Sequence, residues 1–287
     1  MQTNAYSISF MTIMILFAEF LTLNEAQSAK DNNMKDDTFK MVLKAPVTTW
    51  DEAIPLGNGM LGGLLWGADN TIKISLDRGD LWDETVAPPV KEEDWNYANM
   101  RKLIKENWSE YARRYDSIYN LPSPTKLPGG RLVLTLGKDK KAKNFVLDMK
   151  NAMGIVNFDN GAKLECFFHA KERVALIKVD EINITSRFIR PDGLNQLNYK
   201  PAEFGEENNM SWMVQEASEG LVYATLTAVK RIGNQTLLAV AITTNKEDKK
   251  QDDPLLLAKS RVSKALDNGF DKMFISHKKW WDEFWAI

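Results

Sequence analysis

Short runs of alternating apolar and polar residues, each closed by turn residues, recur along most of the sequence. In residues 71–76 apolar side chains occupy every second position, which is the period of a strand with one buried face. Asn160-Gly161 separates two such runs and is the strongest hairpin signal, because both residues tolerate positive φ. Gly233-Asn234 marks another tight turn. Repeated strands joined by short turns predict an all-β fold, a large antiparallel β-sandwich without βαβ units.

One segment inside this β-rich region has a helical period. In residues 95–119 apolar and aromatic side chains recur at helical spacing with charges between them; they are Met100, Leu103, Ile104, Trp108, Tyr111 and Tyr115. This pattern predicts one amphipathic helix inserted between strands. A proline-containing segment at residues 121–130 then returns the chain to the sheet.

The pattern becomes helical again after residue 250. Asp253 suits a helix N-cap, Pro254 the first helical position and Gly269 the C-terminal end. A second helix start is predicted at Ser276. Aromatic residues then form one broad apolar face; they are Trp280, Trp281, Phe284 and Trp285. Because such a face needs a partner, we expect residues 251–287 to be a helical linker and the start of a truncated catalytic barrel.

The N-terminal residues have the pattern of a targeting segment. Residues 8–23 are almost continuously apolar, and small residues follow at 26–29. We therefore predict a secretory signal peptide at residues 1–29 and a β-sandwich domain at 30–250. The product would be secreted or periplasmic, and a single cysteine fits a bacterial periplasm. A retained anchor is the alternative, but the run is short and Glu19 interrupts it, so no stable membrane anchor is expected.

The ionisable residues exclude several classes of function. Lys and Arg number 37 against 39 Asp and Glu, so no basic surplus exists for nucleic acid and we expect no such partner. Cys166 is the only cysteine, and His169 and His277 are the only histidines, so neither a metal nor another cofactor is expected. Cys166 is interpreted as an inert core thiol and His169 as a structural histidine. Any catalysis would depend on carboxylates.

Two motifs carry a specific pattern. Residues 50–63 read W-D-E-A-I-P-L-G-N-G-M-L-G-G, and residues 74–82 read I-S-L-D-R-G-D-L-W. Together with Trp66-Gly67 they resemble the N-terminal domain of glycoside hydrolase family 95, which is known chiefly for α-L-fucosidases, with some α-L-galactosidases. A typical member reads T-L-W-S-G where residues 80–84 here read D-L-W-D-E. A divergent subgroup or the related family 65 type of enzyme therefore stays open.

The resemblance implies two domains, of which only one carries the catalytic residues. Family members pair this β-sandwich with an (α/α)6 barrel, and the barrel carries the acid and base residues. The resemblance therefore assigns no catalytic residue to this chain. It implies an accessory N-terminal domain of an exported glycoside hydrolase acting on terminal sugars, α-L-fucosides or α-L-galactosides. The implied partners are carbohydrate and the C-terminal barrel.

Residues at the strand ends are the candidates for sugar contact, because loops placed by a rigid scaffold commonly carry function. Asn58, Arg78 and Trp82 are predicted to bind substrate at the rim of the active site. Trp95 and Trp212 are further candidates for stacking on a sugar. The other tryptophans fit core or junction positions.

Three alternatives stay open. An acidic cluster beside Trp82, formed by Asp77, Asp80, Asp83 and Glu84, offers the opposed carboxylates of a self-sufficient hydrolase. A local Asp77–Arg78 ion pair and a solvated loop are the simpler interpretations of this cluster. A second alternative is a stand-alone carbohydrate-binding domain without catalysis, which needs an exposed aromatic platform. The third is a structural remnant without a ligand.

Overall fold

The computed structural model describes residues 38–248 and 252–286. The predicted signal peptide at residues 1–29 and the predicted domain boundary at residues 250 and 251 lie outside the described residues. The strands of the described part, in chain order, are β1 Lys40–Lys44, β2 Ile54–Gly57, β3 Leu61–Ala68, β4 Thr71–Arg78, β5 Trp82–Asp83, β6 Thr125–Lys126, β7 Gly130–Thr135, β8 Ala142–Asp148, β9 Met153–Phe158, β10 Lys163–Phe168, β11 Ala175–Val179, β12 Thr185–Ile189, β13 Glu203–Glu207, β14 Met210–Glu216, β15 Val222–Ile232 and β16 Gln235–Thr244.

The helices occupy two parts of the chain. They are α1 Tyr97–Glu106 and α2 Trp108–Tyr111 in the insertion, and α3 Pro254–Asn268 and α4 Phe270–Trp285 after the last strand. Short 3₁₀ and π turns lie at Trp50–Glu52, Pro88–Lys91, Ala112–Asp116, Ser117–Asn120, Asp192–Leu197 and Ser218–Gly220. No helix in the described ranges is long and apolar enough to cross a membrane.

The strands form an antiparallel sandwich, as the sequence predicted. One sheet has nine strands in the order β1-β8-β9-β10-β11-β16-β15-β14-β13, and the facing sheet has five in the order β12-β7-β4-β3-β2. A two-stranded ribbon, β5-β6, lies beside them. The predicted Asn160-Gly161 hairpin joins β9 to β10, with Gly161 at φ 86°. Gly233-Asn234 likewise joins β15 to β16, with Gly233 at φ 57°.

The main core lies between the two sheets. Leu65 and Ile74 are opposite each other on β3 and β4, and both side chains are buried there. Gly63 allows the sheets to approach, because a Cβ at this position would lie 2.6 Å from the ring of Phe168. Cys166 is fully buried in the same core, and burial raises the pKa of its thiol to about 12. This placement agrees with an inert core thiol.

A second core covers the outer face of the nine-stranded sheet. Phe167, Leu176, Leu226 and Leu237 on that face pack against α3 and α4. Because this sheet is covered on both sides, β16 is buried at every position after Gln235. Burial on both faces explains why β16 is almost continuously apolar, whereas β4 alternates.

The two C-terminal helices meet at Gly269. Asp253 caps α3 as predicted, because its side chain accepts hydrogen bonds from the amides of Leu255 and Leu256. The predicted second start at Ser276 is wrong, since α4 already begins at Phe270. Phe270 is buried against the sheet together with Met273, and this apolar spacing extends the helix one and a half turns upstream of the predicted start.

The predicted amphipathic insertion is present but broken into pieces. Asn107 ends α1 and caps α2 by accepting a hydrogen bond from the amide of Glu110. Aromatic rings connect the pieces: the centroid of Tyr115 lies 4.5 Å from that of Trp95 and 5.4 Å from that of Tyr111. Trp95, a candidate for sugar stacking, is therefore part of the packing of the insertion.

Candidate functional site

The three predicted sugar-binding residues lie around one corner of the five-stranded sheet. Asn58 is in the turn between β2 and β3, Arg78 ends β4 and Trp82 begins β5. The amide of Gly79 donates a hydrogen bond to the carbonyl oxygen of Met60 at 2.7 Å, which holds the turn and the end of β4 together. The fold thus brings together residues that the motifs place about 20 positions apart.

Asn58 uses both ends of its amide within the protein. Its Nδ2 donates to the carbonyl oxygens of His169 at 2.8 Å and Glu172 at 3.2 Å. Its Oδ1 accepts from the amides of Met60 at 3.0 Å and Leu61 at 2.7 Å. Asn58 therefore ties the β2–β3 turn to the loop of residues 169–173, a structural role that explains the residue type without a ligand.

Arg78 is also occupied internally, with only 1% of its surface exposed. Its Nε and Nη2 donate to Asp80 at 2.6 and 2.8 Å. Its Nη1 donates to the carbonyl oxygen of Ile242 at 2.9 Å and to Glu247 at 2.6 Å. The expected side-chain ion pair with Asp77 is therefore wrong, since the carboxylate of Asp77 pairs with Lys126. Neighbouring positions on a strand point to opposite faces, which separates the two side chains.

Glu247 joins three arginines at this corner, and we call this group the Glu247 cluster. The side chain of Glu247 is 4% exposed and accepts from Arg78 at 2.6 Å, Arg173 at 2.7 Å and Arg261 at 2.6 Å. Burial raises the pKa of Glu247, but the hydrogen bonds from Arg261 and Arg173 outweigh it and lower the pKa to about 2. The cluster links β4, the 169–173 loop and α3 through one carboxylate.

Trp82 is the one of the three whose side chain is open to a ligand, with 47% of its surface exposed. Its Nε1 donates to the carbonyl oxygen of Gly79 at 3.1 Å, which orients the ring. It lies opposite Lys126 in the β5–β6 ribbon. An oriented, half-exposed indole can stack on the apolar face of a sugar, so sugar contact by Trp82 stays a prediction.

The acidic cluster does not have the properties of a hydrolase pair. The hydrogen bond from Arg78 lowers the pKa of Asp80. Burial acts to raise the pKa of Asp83, but hydrogen bonds from Thr85 and Tyr199 lower it overall. Glycoside hydrolysis needs one carboxyl group that stays protonated as the general acid. Neither Asp80 nor Asp83 meets this need, so these two residues give no support to the self-sufficient hydrolase.

The 169–173 loop connects this corner to α4 through two histidines. Nδ1 of His169 accepts from the amide of Glu172 at 3.0 Å, and its Nε2 lies 2.8 Å from Oγ of Ser276 on α4. His277 is fully buried; its Nδ1 accepts from the amide of Ala170 at 3.1 Å, and its Nε2 donates to the carbonyl oxygen of Asn151 at 2.9 Å. These bonds require the neutral ring. Burial lowers the pKa of His277 to about 4.

The remaining aromatic candidates are placed differently. Trp212 on β14 packs over Gly205, where a Cβ would lie 2.4 Å from the indole, and Lys259 of α3 lies over its ring at 4.6 Å. Trp212 is therefore a contact between sheet and helix. At the end of α4, Phe284 and Trp285 are exposed.

Residues 38–248 and 252–286 contain no group of three or more potential metal ligands.

Comparison with known proteins identifies the sandwich. A sequence model described as "Glycosyl hydrolase family 65, N-terminal domain" matches residues 41–244. The chain belongs to this family. The glycosyl hydrolase family 65 N-terminal domain thus extends from β1 to the end of β16 and includes the corner at Asn58, Arg78 and Trp82.

A similarity to one curated protein also supports a relation to glycosidases. Alpha-L-fucosidase 2 of Arabidopsis thaliana is 23% identical to this chain over 166 residues, which is 54% of this chain and 20% of that protein. The chain therefore spans a small part of the length of the relative that it matches. The family assignment supports a glycosidase-related N-terminal domain and matches family 65, the alternative that the motifs left open, so the finer resemblance to family 95 stays a prediction.

The motifs gave no signal for one exposed aromatic residue near this corner. Trp50 opens the Trp50–Glu52 turn and has 59% of its surface exposed. Trp50 is among the tryptophans predicted to occupy core or junction positions, and its exposure does not fit a core position. Exposure of a large aromatic residue beside a strand would be visible only once the sheet order is known.

Proposed function

We propose that this chain is the accessory N-terminal domain of an exported glycoside hydrolase of the family 95 type. The observation that carries the N-terminal glycoside hydrolase domain is the family 65 match over residues 41–244, whereas the family 95 type rests on the motifs at residues 50–63 and 74–82. The acid and base residues would then lie on an (α/α)6 barrel that follows the sandwich. Export rests on the apolar N-terminal run and makes the enzyme secreted or periplasmic.

The proposed substrates are terminal α-L-fucosides or α-L-galactosides. Two observations support them: the motifs at residues 50–63 and 74–82 resemble family 95, and the curated relative is named an alpha-L-fucosidase. Hydrolysis would follow acid/base chemistry between two carboxyl-type groups.

The proposed role of this domain is to shape one side of the active site and to hold the barrel in place. Asn58 connects the corner to the 169–173 loop, and Ser276 and His277 connect that loop to α4. The exposed aromatic residues at the end of α4 supply an apolar surface for the next domain. Trp82 is the residue at this corner best placed to contact a sugar.

The first test is the mass of the native protein, detected in its source cells with an antibody against this chain. A product far heavier than 32.7 kDa is expected. That product should hydrolyse 4-nitrophenyl α-L-fucoside or α-L-galactoside, and it should fractionate outside the cytoplasm. A heavy product that cleaves neither glycoside would overturn the proposed substrates.

A stand-alone carbohydrate-binding domain is the second candidate, and the half-exposed ring of Trp82 favours it. A native product with the mass of this chain, with or without residues 1–29, would overturn the accessory-domain proposal and support this one. Sugar-binding measurements would then replace hydrolysis assays.

A further inference from the structure

A groove of about 720 Å³ lies on the outer face of the five-stranded sheet. Gly57 and Gly62 are opposite each other on β2 and β3, and Gly62 is in turn opposite Asp77 on β4. Gly62 lines the groove and leaves the sheet surface without a side chain beside the carboxylate of Asp77. The volume falls in the range typical of small-molecule sites.

One wall of the groove is apolar. Trp50 and Pro55 line it together with Leu64, which lies opposite Pro55 in the sheet. With 59% of its surface exposed, Trp50 contributes little to the core and presents its ring to a ligand. An exposed indole with adjacent aliphatic surface matches the C–H face of a pyranose ring.

The opposite wall and the floor carry hydrogen-bonding groups that are only partly used. Oδ1 of Asp77 accepts from Nζ of Lys126 and from the amide of Arg78, which leaves Oδ2 for a ligand. Oγ of Ser75 accepts from Nε1 of Trp66 at 3.0 Å, which leaves its hydroxyl proton to donate.

Arg131 adds a further polar group to the groove. Its guanidinium carbon lies 5.0 Å from the ring centroid of Trp66. Its Nε is buried and has no hydrogen-bond partner among the described residues. Because this Nε is closed to solvent, a ligand in the groove would contact Arg131 through the other atoms by which it lines the groove.

The charges of the groove select among occupants. Asp77 and Lys126 neutralise each other, which leaves Arg131 as the one charge in the lining that they do not balance. An apolar peptide would leave the hydroxyl proton of Ser75 and Oδ2 of Asp77 unsatisfied, and an acidic ligand would meet the carboxylate of Asp77. A molecule with hydroxyl groups on its edge and an apolar face can form hydrogen bonds with the polar wall and pack against the apolar wall.

We propose that this groove binds a neutral oligosaccharide, stacked on Trp50 and hydrogen-bonded to Asp77, Ser75 and Arg131. Binding here would give the domain its own affinity for glycans. It deepens the proposed role in carbohydrate processing, but binding here requires no hydrolysis.

The test is calorimetric titration of the natural full-length protein with neutral oligosaccharides ending in L-fucose, D-galactose, D-glucose or D-xylose. At least one should bind at millimolar concentration or below. Trp50→Ala and Asp77→Asn should each weaken that binding about tenfold, the effect of losing one good contact. Trp108→Ala is the matched control, since Trp108 is equally exposed but lies on α2 outside the groove.

Three outcomes of the titration would contradict the proposal. It is overturned if none of the four sugars binds, if Trp108→Ala weakens binding as much as Trp50→Ala, or if only an oligosaccharide with a glucuronic acid end binds. Circular dichroism checks that the variants fold. If Trp50→Ala does not fold, Trp50→Phe replaces it in the binding measurement. Binding without hydrolysis of aryl fucosides or galactosides would overturn the proposed activity and leave the groove intact.

Discussion

At the scale of single residues, Glu247 joins three arginines through one buried carboxylate. It is the one carboxylate that contacts Arg78, Arg173 and Arg261, and Arg78 is almost completely buried. Removing one partner of a buried ion pair leaves an uncompensated charge, which costs more than the pair itself contributes. The cluster is therefore a point at which a single substitution should loosen β4 and α3 together.

We predict that Glu247→Gln lowers the free energy of unfolding by about 3 kcal/mol, because it leaves three arginines with less countercharge. Urea denaturation followed by tryptophan fluorescence measures the change. Glu110→Gln is the control, since Glu110 pairs with Arg113 at the surface, where solvent screens the pair, and its loss should change stability far less. Equal losses in the two variants would contradict a special role for the cluster.

His277 predicts how stability depends on pH. Its pKa is lowered by burial to about 4 from the ordinary 6.5, so between these values the unfolded chain binds a proton that the folded chain does not. Stability should therefore fall as pH decreases from 6.5 towards 4, by up to roughly 3 kcal/mol from this residue. His277→Gln should be less stable at pH 7 but lose less between pH 6.5 and 4. Denaturation midpoints at a series of pH values test this, and parallel pH curves for the two proteins would contradict it.

At the scale of elements, local sequence signals predicted the structure correctly where a turn or a helix cap determines it. Gly233-Asn234 forms a two-residue turn, and Asn160-Gly161 lies in the four-residue connection between β9 and β10, with positive φ at Gly233 and Gly161. The start of α4 was predicted wrongly at Ser276 because that position looked like a helix cap, whereas Gly269 serves as both the end of α3 and the start of α4. Burial of Phe270 against the sheet decides that boundary, and burial is not visible in a local pattern.

The cap of α3 gives a prediction at this scale. Asp253→Ala removes the acceptor for the amides of Leu255 and Leu256 and should lower the free energy of unfolding by about 1 kcal/mol. Thermal unfolding monitored by circular dichroism measures the effect. Asp252→Ala changes the exposed neighbour and should leave the melting temperature almost unchanged. A larger effect at Asp252 would show that charge near the helix start, and not the cap itself, is responsible.

At the scale of the whole molecule, the contacts that assemble the site join residues far apart in sequence. Arg78 meets Glu247 across 169 positions, and Asn58 meets the 169–173 loop across more than 100. The motifs predicted a β-sandwich and the importance of Asn58 and Arg78, but not that their polar groups face inward. Partner choice over such distances depends on sheet order and helix docking, which a pattern of apolar positions does not encode. The same limit kept Trp50 and its groove out of the prediction.

The docking of α3 and α4 on the nine-stranded sheet gives the last prediction. The ring centroid of Phe167 lies 5.0 Å from that of Phe270 and 4.7 Å from that of His277. One strand residue therefore contacts two positions of α4. Phe167→Ala should lower the free energy of unfolding by about 4 kcal/mol through lost burial and the cavity left behind.

If the helices are part of the same cooperative unit as the sandwich, this loss should appear as one shifted transition by tryptophan fluorescence and by circular dichroism alike. Phe204→Ala is the control, because Phe204 lies exposed on β13, the edge strand, and should change stability by under about 0.5 kcal/mol. Two separate transitions in Phe167→Ala would instead mean that the helices detach before the sandwich unfolds. The second core would then be a docking surface between two units and not the interior of one.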